Sequence, residues 1–218
     1  MDGNVISKTL EVIDTSEFAK TEDLNKKLDK ENPNGNGSLS LNRKSDTTIG
    51  DYSVSVGDRT VASGKASFAE GCLTTASAPQ SHAEGDGTVA SGTGAHAEGG
   101  YVDGVYTTAS GNYAHAEGVG TTSSDVATHT EGYKTVASAP YAHAEGYEAK
   151  ALAGVSHAEG FKTTASGLRS HAEGIQTATG TDATAAHAEG WSTQALGAGS
   201  HAEGLETVAK GIYSHTEG

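Results

Sequence analysis

From residue 53 onward the chain alternates small and larger side chains in runs of five. Each run ends in glycine and is followed by two variable positions. Residues 156–169 show the pattern in full: Ser-His-Ala-Glu-Gly-Phe-Lys, then Thr-Thr-Ala-Ser-Gly-Leu-Arg. Period-two alternation over five residues, closed by glycine, predicts a short strand and a tight turn. Two such seven-residue halves make one coil of a two-sided solenoid, and Ser, Thr and Gly at fixed slots disfavour a helical repeat. The predicted fold is an all-β parallel β-solenoid with 14-residue coils. Alternation assigns the faces. Ser, Ala and Gly at slots one, three and five of the first strand point inward, as do Thr, Ala and Gly of the second. His and Glu at slots two and four point outward.

The ten histidines fix the period. All lie in the motif His-Ala/Thr-Glu-Gly, with spacings of 14, 19, 14, 14, 14, 14, 16, 14 and 14, so one coil carries five extra residues and another two. The pairs are His82 and Glu84, His96 and Glu98, His115 and Glu117, His129 and Glu131, His143 and Glu145, His157 and Glu159, His171 and Glu173, His187 and Glu189, His201 and Glu203, and His215 and Glu217. In the first coils Val54, Val56 and Phe68 occupy the same outward slots. Apolar residues there predict a surface covered by a partner. A coil this narrow buries too little to stand alone. These slots are therefore expected to form the structural seam of a homo-oligomer.

Composition changes the picture in one respect. Leu, Ile, Val and Phe make up 31 of 218 residues, whereas Ala and Gly together make up 63. A core of large side chains is ruled out, and a tube lined by small ones remains. The net charge of −14 argues against nucleic acid as a partner, because that needs a basic footprint. No run approaches the roughly 20 apolar residues of a membrane-spanning helix, so no membrane insertion is expected. The single Cys72 implies no disulfide framework.

Three stretches divide the chain. Residues 1–31 read as an N-terminal attachment segment, with a short helix over residues 16–30 that Ser16 or Thr21 caps. Its pairs Glu22 with Lys26 and Asp23 with Lys27, and the stripe Phe18, Leu24 and Leu28, suit a coiled-coil collar. Residues 32–44 are a Gly/Asn-rich lead-in whose extended part starts at Leu39 and Leu41. Residues 45–218 form about 12 coils, which at about 4.8 Å each stand near 60 Å tall. The chain stops at Gly218 halfway through a coil, as a truncated or cleaved product would.

The run Ser53-Val54-Ser55-Val56-Gly57, followed by Thr60-Val61-Ala62-Ser63-Gly64, resembles the 14-residue repeat of YadA-like trimeric adhesin heads. The Ser-His-Ala-Glu-Gly form is similar to repeats in tail-fibre and appendage proteins of phages and prophages of Gram-positive bacteria, and residues 32–43 resemble the lead-in of such proteins. The resemblance implies a left-handed β-roll and assembly as a homotrimer. It also implies a rigid spacer for host receptor binding, located in a virion tail or phage-tail-like particle and assembled in the host cytoplasm. In the phage proteins such repeats often precede an autoproteolytic, chaperone-like domain. Implied partners are a phage tail or baseplate protein at the N-terminus and a bacterial surface receptor, glycan included. Two alternatives stand beside this: the head of a cell-surface trimeric autotransporter adhesin, and a tail-spike with glycan-degrading activity. The outward slots of the adhesins are largely apolar, whereas His and Glu fill them here.

Candidate chemistry is sparse. His-x-Glu places imidazole and carboxylate on one strand face, and both bind zinc or nickel. Ten copies favour a repeated polar seam over a dedicated site, which leaves an occasional axial ion at His143, His157 and His171. No catalytic residue and no cofactor are expected, since no unique nucleophile accompanies the repeats. Tyr133, Tyr147, Phe161, Ile175, Trp191 and Leu205 each follow the motif glycine and should form one column. Packing between chains is favoured over sugar binding for that column. The insertions are candidate recognition loops: Tyr101, Val102 and Asp103 in the first, Gly180, Thr181 and Asp182 in the second. The threonine at the start of each second half lies in an inward slot, which disfavours an ice-binding array.

Overall fold

A computed structural model describes residues 38–41 and 47–218. The collar helix expected over residues 16–30, the attachment segment 1–31 and most of the 32–44 lead-in lie outside these. The described residues form two parallel sheets and contain no helix. The first sheet has thirteen strands in chain order, β1 (Leu39–Leu41), β2 (Val54–Asp58), β4 (Phe68–Cys72), then every even strand to β24 (His215–Thr216). The second has eleven, the odd strands from β3 (Val61–Ala62) to β23 (Val208–Ala209). The eleven coils between β2 and β23 thus each contribute one strand to each sheet. The extended segment at Leu39 is the first strand, with Leu39, Ser40 and Leu41 in register with Val54, Ser55 and Val56.

Register follows the repeat. His143, Ala144, Glu145, Gly146 and Tyr147 of β14 (His143–Tyr147) stand opposite His157, Ala158, Glu159, Gly160 and Phe161 of β16 (His157–Phe161). Strand residues therefore meet the equivalent residue of the next coil, and from His82 onward the His and Glu columns are chemically uniform.

The interior is as narrow as the alternation requires. Ala69, Ala83, Ala97, Ala116, Ala144, Ala158, Ala172 and Ala188 on one sheet, and Ala76, Ala90, Ala137, Ala151 and Ala165 on the other, are fully buried. Threonines, including Thr74, Thr88, Thr121, Thr135 and Thr163, are the largest fully buried side chains. A buried methyl contributes on the order of 1 kcal/mol, so stabilisation accrues in small equal steps along the stack. The hydroxyl at slot one closes the turn before it. Ser53 Oγ donates to Gly50 O at 2.7 Å, Ser67 Oγ to Gly64 O at 2.7 Å, and Ser156 Oγ to Ala153 O at 2.6 Å.

The motif glycine departs from the expected inward placement. Gly71, Gly85, Gly99 and Gly146 are exposed, not buried. Gly160 adopts φ +106°, and a Cβ there would run into the carbonyl of Gly174 on the next coil. Glycine holds slot five because the backbone leaves the strand there in a left-handed conformation and neighbouring coils approach closely. The glycine of the second half does face inward, as Gly64, Gly92, Gly111 and Gly167 are buried.

Each coil turns two corners, seven residues apart, at residues with φ between 51° and 60°: Lys134, Tyr141, Glu148, Val155, Lys162, Arg169 and Gln176 in consecutive halves. These corners are bonded between coils as the strands are, with Lys162 N–H donating to Tyr147 O at 2.8 Å and Val155 N–H to Pro140 O at 2.9 Å.

Candidate functional site

Stacked coils turn the His-x-Glu motif into two parallel ladders on the outer face of the first sheet. The imidazoles of His82 to His201 stack face to face with centroids 4.7–4.9 Å apart, and Phe68 continues the stack below His82 at 4.8 Å. His215 ends it with a ring tilted by 47°. The rings are half-buried, and the Nε2 atoms of His129, His143 and His157 are shielded from solvent without a hydrogen-bond partner. Carboxylates lie close: Glu145 Oε2 is 3.4 Å from His143 Nε2, Glu159 Oε2 3.6 Å from His157 Nε2, and Glu173 Oε2 3.5 Å from His171 Nε2. Glu189 and Glu203 stand likewise 3.5 Å and 3.9 Å from His187 and His201, and Glu217 is 3.8 Å from His215.

This packing disfavours the protonated imidazole. Burial, reinforced by the neighbouring imidazoles, lowers the pKa of His115, His143 and His171, and the nearby glutamates only partly oppose it. Two carboxylates are perturbed in opposite directions. Burial raises Glu98, and its hydrogen bond with Glu84 adds to this. Burial would raise Glu84 too, but hydrogen bonds from His96 and Glu98 outweigh it and hold Glu84 below the usual carboxylate range.

The same stacking limits metal chemistry. His143, Glu145 and His157 bring ligand atoms within 4.8 Å of one another, as do His157, Glu159 and His171. Two imidazoles sharing an ion of zinc size must place their nitrogens at most about 4.2 Å apart, with lone pairs converging on it. Parallel rings at 4.7 Å direct their lone pairs side by side. One chain can therefore offer an ion a single imidazole with its glutamate per rung.

Residues after the motif glycine form the expected column. Tyr133 and Tyr147 stack at 4.9 Å, Tyr147 and Phe161 at 5.0 Å, and Ile175, Trp191 and Leu205 continue in register. Tyr147 has a stacked ring on each face, so only its edge reaches the surface. A sugar ring stacks on an aromatic face, so Tyr147 lacks the platform that sugar binding needs. Cys72 belongs to the same column, opposite Asp58 and Asp86, and burial pushes its thiol up.

The five-residue insertion is a hairpin rather than a bulge. Val102 N–H donates to Val105 O at 3.0 Å and Val105 N–H to Val102 O at 2.8 Å, while Asp103 and Gly104 between them have φ +51° and +78°. Positive φ at both central residues defines the type I′ turn that suits a two-residue loop. Tyr101 stacks on Tyr106 at 5.7 Å, and Lys134 Nζ holds Asp103 Oδ2 at 2.7 Å. The hairpin lies along the corner column between two glycines. A Cβ on Gly87 would meet Tyr101 Cδ1 at 2.6 Å, and one on Gly120 would meet Val102 Cγ1 at 2.9 Å. Glycine at these two corners, where other coils carry side chains, is the signal that could have located the hairpin's seat from sequence. The second insertion is a tight bend. Ala183 N–H donates to Gly180 O at 3.1 Å, which leaves Thr181 and Asp182 exposed. Thr179 fills an alanine slot in that coil, accepting from Ser166 N–H at 3.0 Å and sharing a hydrogen bond with Ser170 Oγ at 2.7 Å.

These features define a parallel β-solenoid repeat protein. Residues 49–71 and 75–101 match the YadA head domain repeat in two copies, which identifies an adhesin-head type of repeat. No curated protein matches the chain.

Proposed function

We propose that the chain is a structural, non-enzymatic shaft, assembled as a homotrimer, that holds a receptor-binding element of a phage tail or phage-tail-like particle. The single observation behind this reading is the unbroken register of the ladders, in which rung after rung repeats the same side chains. Uniform columns suit a surface that meets identical columns on other copies, and stacked coils give stiffness along the axis. Histidines shielded at Nε2 but half-exposed as rings fit a seam that carboxylates of a neighbouring copy complete. A trimer carries −42, three times −14, so assembled shafts repel one another at low salt. Sedimentation equilibrium of the full chain tests the assembly: three chain masses support it, and one chain mass overturns it. Gold-labelled antibody against the repeats tests the location, with label on particle tails expected.

A second reading, the head of a cell-surface adhesin, draws on the family matches, the first of which covers the coils where Val54, Val56 and Phe68 occupy the outward slots. Label on the cell envelope in the same experiment would favour it.

A further inference from the structure

The hairpin walls a pocket against the outer face of the second sheet. Its lining is Arg59, Val61, Leu73, Thr75, Val89 and Tyr106. Val61, Thr75 and Val89 are register partners on β3, β5 (Thr75–Ala76) and β7 (Thr88–Ala90), so they form a flat apolar strip interrupted by one hydroxyl. Leu73 and Arg59 come from successive corners, and at the next corner Gly87 has no side chain, which lets Tyr101 pack directly on the backbone there. Tyr106 closes the far side, stacked on Tyr101 and joined through Thr107 to the hairpin's base, where Thr107 Oγ1 donates to Gly100 O at 2.6 Å. Arg59 is the one charged residue of the lining. Asp58 Oδ2 accepts from its Nε at 3.1 Å and orients the guanidinium, whose five donors exceed what Asp58 and Cys72 engage.

We propose that this pocket binds a single sugar residue bearing a carboxylate. An apolar strip and a tyrosine wall take the C–H face of a pyranose, and the Thr75 hydroxyl pairs with a ring hydroxyl. A guanidinium receives a carboxylate through two parallel hydrogen bonds. Charge complementarity selects the acid: the guanidinium donors that Asp58 and Cys72 leave open are the only cationic donors of the lining, and a neutral sugar makes no charge-assisted use of them. A bare inorganic anion makes no use of the apolar strip. The assignment rests on the receptor-binding reading above and names the ligand class and the surface that takes it.

The test uses the full chain with the leucine and valine methyls labelled for NMR, titrated separately with glucuronic acid, glucose and inorganic phosphate. Glucuronic acid is expected to shift the methyls of Val61, Leu73 and Val89 and to bind about tenfold or more tightly than glucose, the difference one charge-assisted contact supplies. Arg59→Gln should abolish that preference, Tyr106→Ala should weaken both sugars, and Arg169→Gln, at a different corner, should change neither. Equal binding of glucose and glucuronic acid, a preference that survives Arg59→Gln, or no shift with either sugar overturns the proposal. Phosphate shifting the same methyls as strongly as glucuronic acid overturns it in favour of a plain anion site. Sedimentation of the same samples separates the two readings. A trimer without sugar binding sinks only the pocket, whereas a monomer sinks the shaft.

Discussion

His96 Nε2 lies 3.2 Å from Glu84 Oε1, the carboxylate of the preceding coil. His82 likewise reaches back to Glu70 at 3.8 Å, and His115 stands between Glu98 at 3.7 Å and its own coil's Glu117 at 3.8 Å. From His143 to His201 each imidazole pairs within its coil instead. The pairing changes partner across the coils that follow the five-residue insertion.

The ladder makes stability depend on pH. Folding lowers the pKa of His115, His143 and His171, so below the unfolded value of about 6.5 the unfolded chain binds more protons than the folded one. Stability is therefore full above about pH 7 and falls as acidification proceeds from about 6.5 towards the depressed folded values. Thermal melts at pH 7.5 and pH 5.5 should show the lower Tm in acid. Replacing His115, His143 and His171 together with Gln should flatten that difference.

Two glycine substitutions separate conformational strain from collision. Gly104→Ala, at φ +78° with open space around its Cβ position, should cost about 1–2 kcal/mol. Gly160→Ala incurs a comparable backbone cost and adds a clash with the Gly174 carbonyl, so it should lower the denaturation midpoint considerably more. Equal losses in chemical denaturation would contradict the packing described at slot five.

The interior threonines divide in the same manner. Thr163 Oγ1 is buried without a hydrogen-bond partner, so Thr163→Val should raise stability by about 1 kcal/mol. Thr193 Oγ1 donates to Glu189 O at 3.1 Å, and Thr193→Val should leave stability unchanged or reduce it by up to about 1.5 kcal/mol. Urea denaturation of the two variants checks the sign of each change.

Val155 presents a β-branched side chain at φ +57° on an exposed corner. Such residues rarely adopt this conformation. Val155→Gly keeps the N–H that donates to Pro140 O and removes the strain, so Tm should rise by the equivalent of about 1 kcal/mol. A fall in Tm would show that the valine side chain contributes packing at that corner.

Much of the architecture was legible because every coil repeats the same constraint. Alternation placed Ala158 and Thr163 inside and His157 outside, and ten histidines, seven of whose nine intervals are 14, excluded other periods. Slot five misled because alternation assumes that the pleat persists to the end of the run, whereas at Gly160 the backbone already turns with positive φ. The corner residues were invisible as such, since Lys162, Val155 and Tyr141 carry no compositional mark of a left-handed turn. The Asp103-Gly104 pair was a readable hairpin signal between Val102 and Val105. The pocket beside it depends on Arg59 and Leu73, about three and two coils' worth of sequence away, which only stacking brings near Tyr106.

Because each strand residue meets its counterpart one repeat later, whole fourteen-residue units can be gained or lost while every remaining strand residue keeps a neighbour at the equivalent slot. Reach is thereby inherited in increments of about 4.8 Å, and recombination between near-identical repeats can tune it while leaving the hairpin module intact.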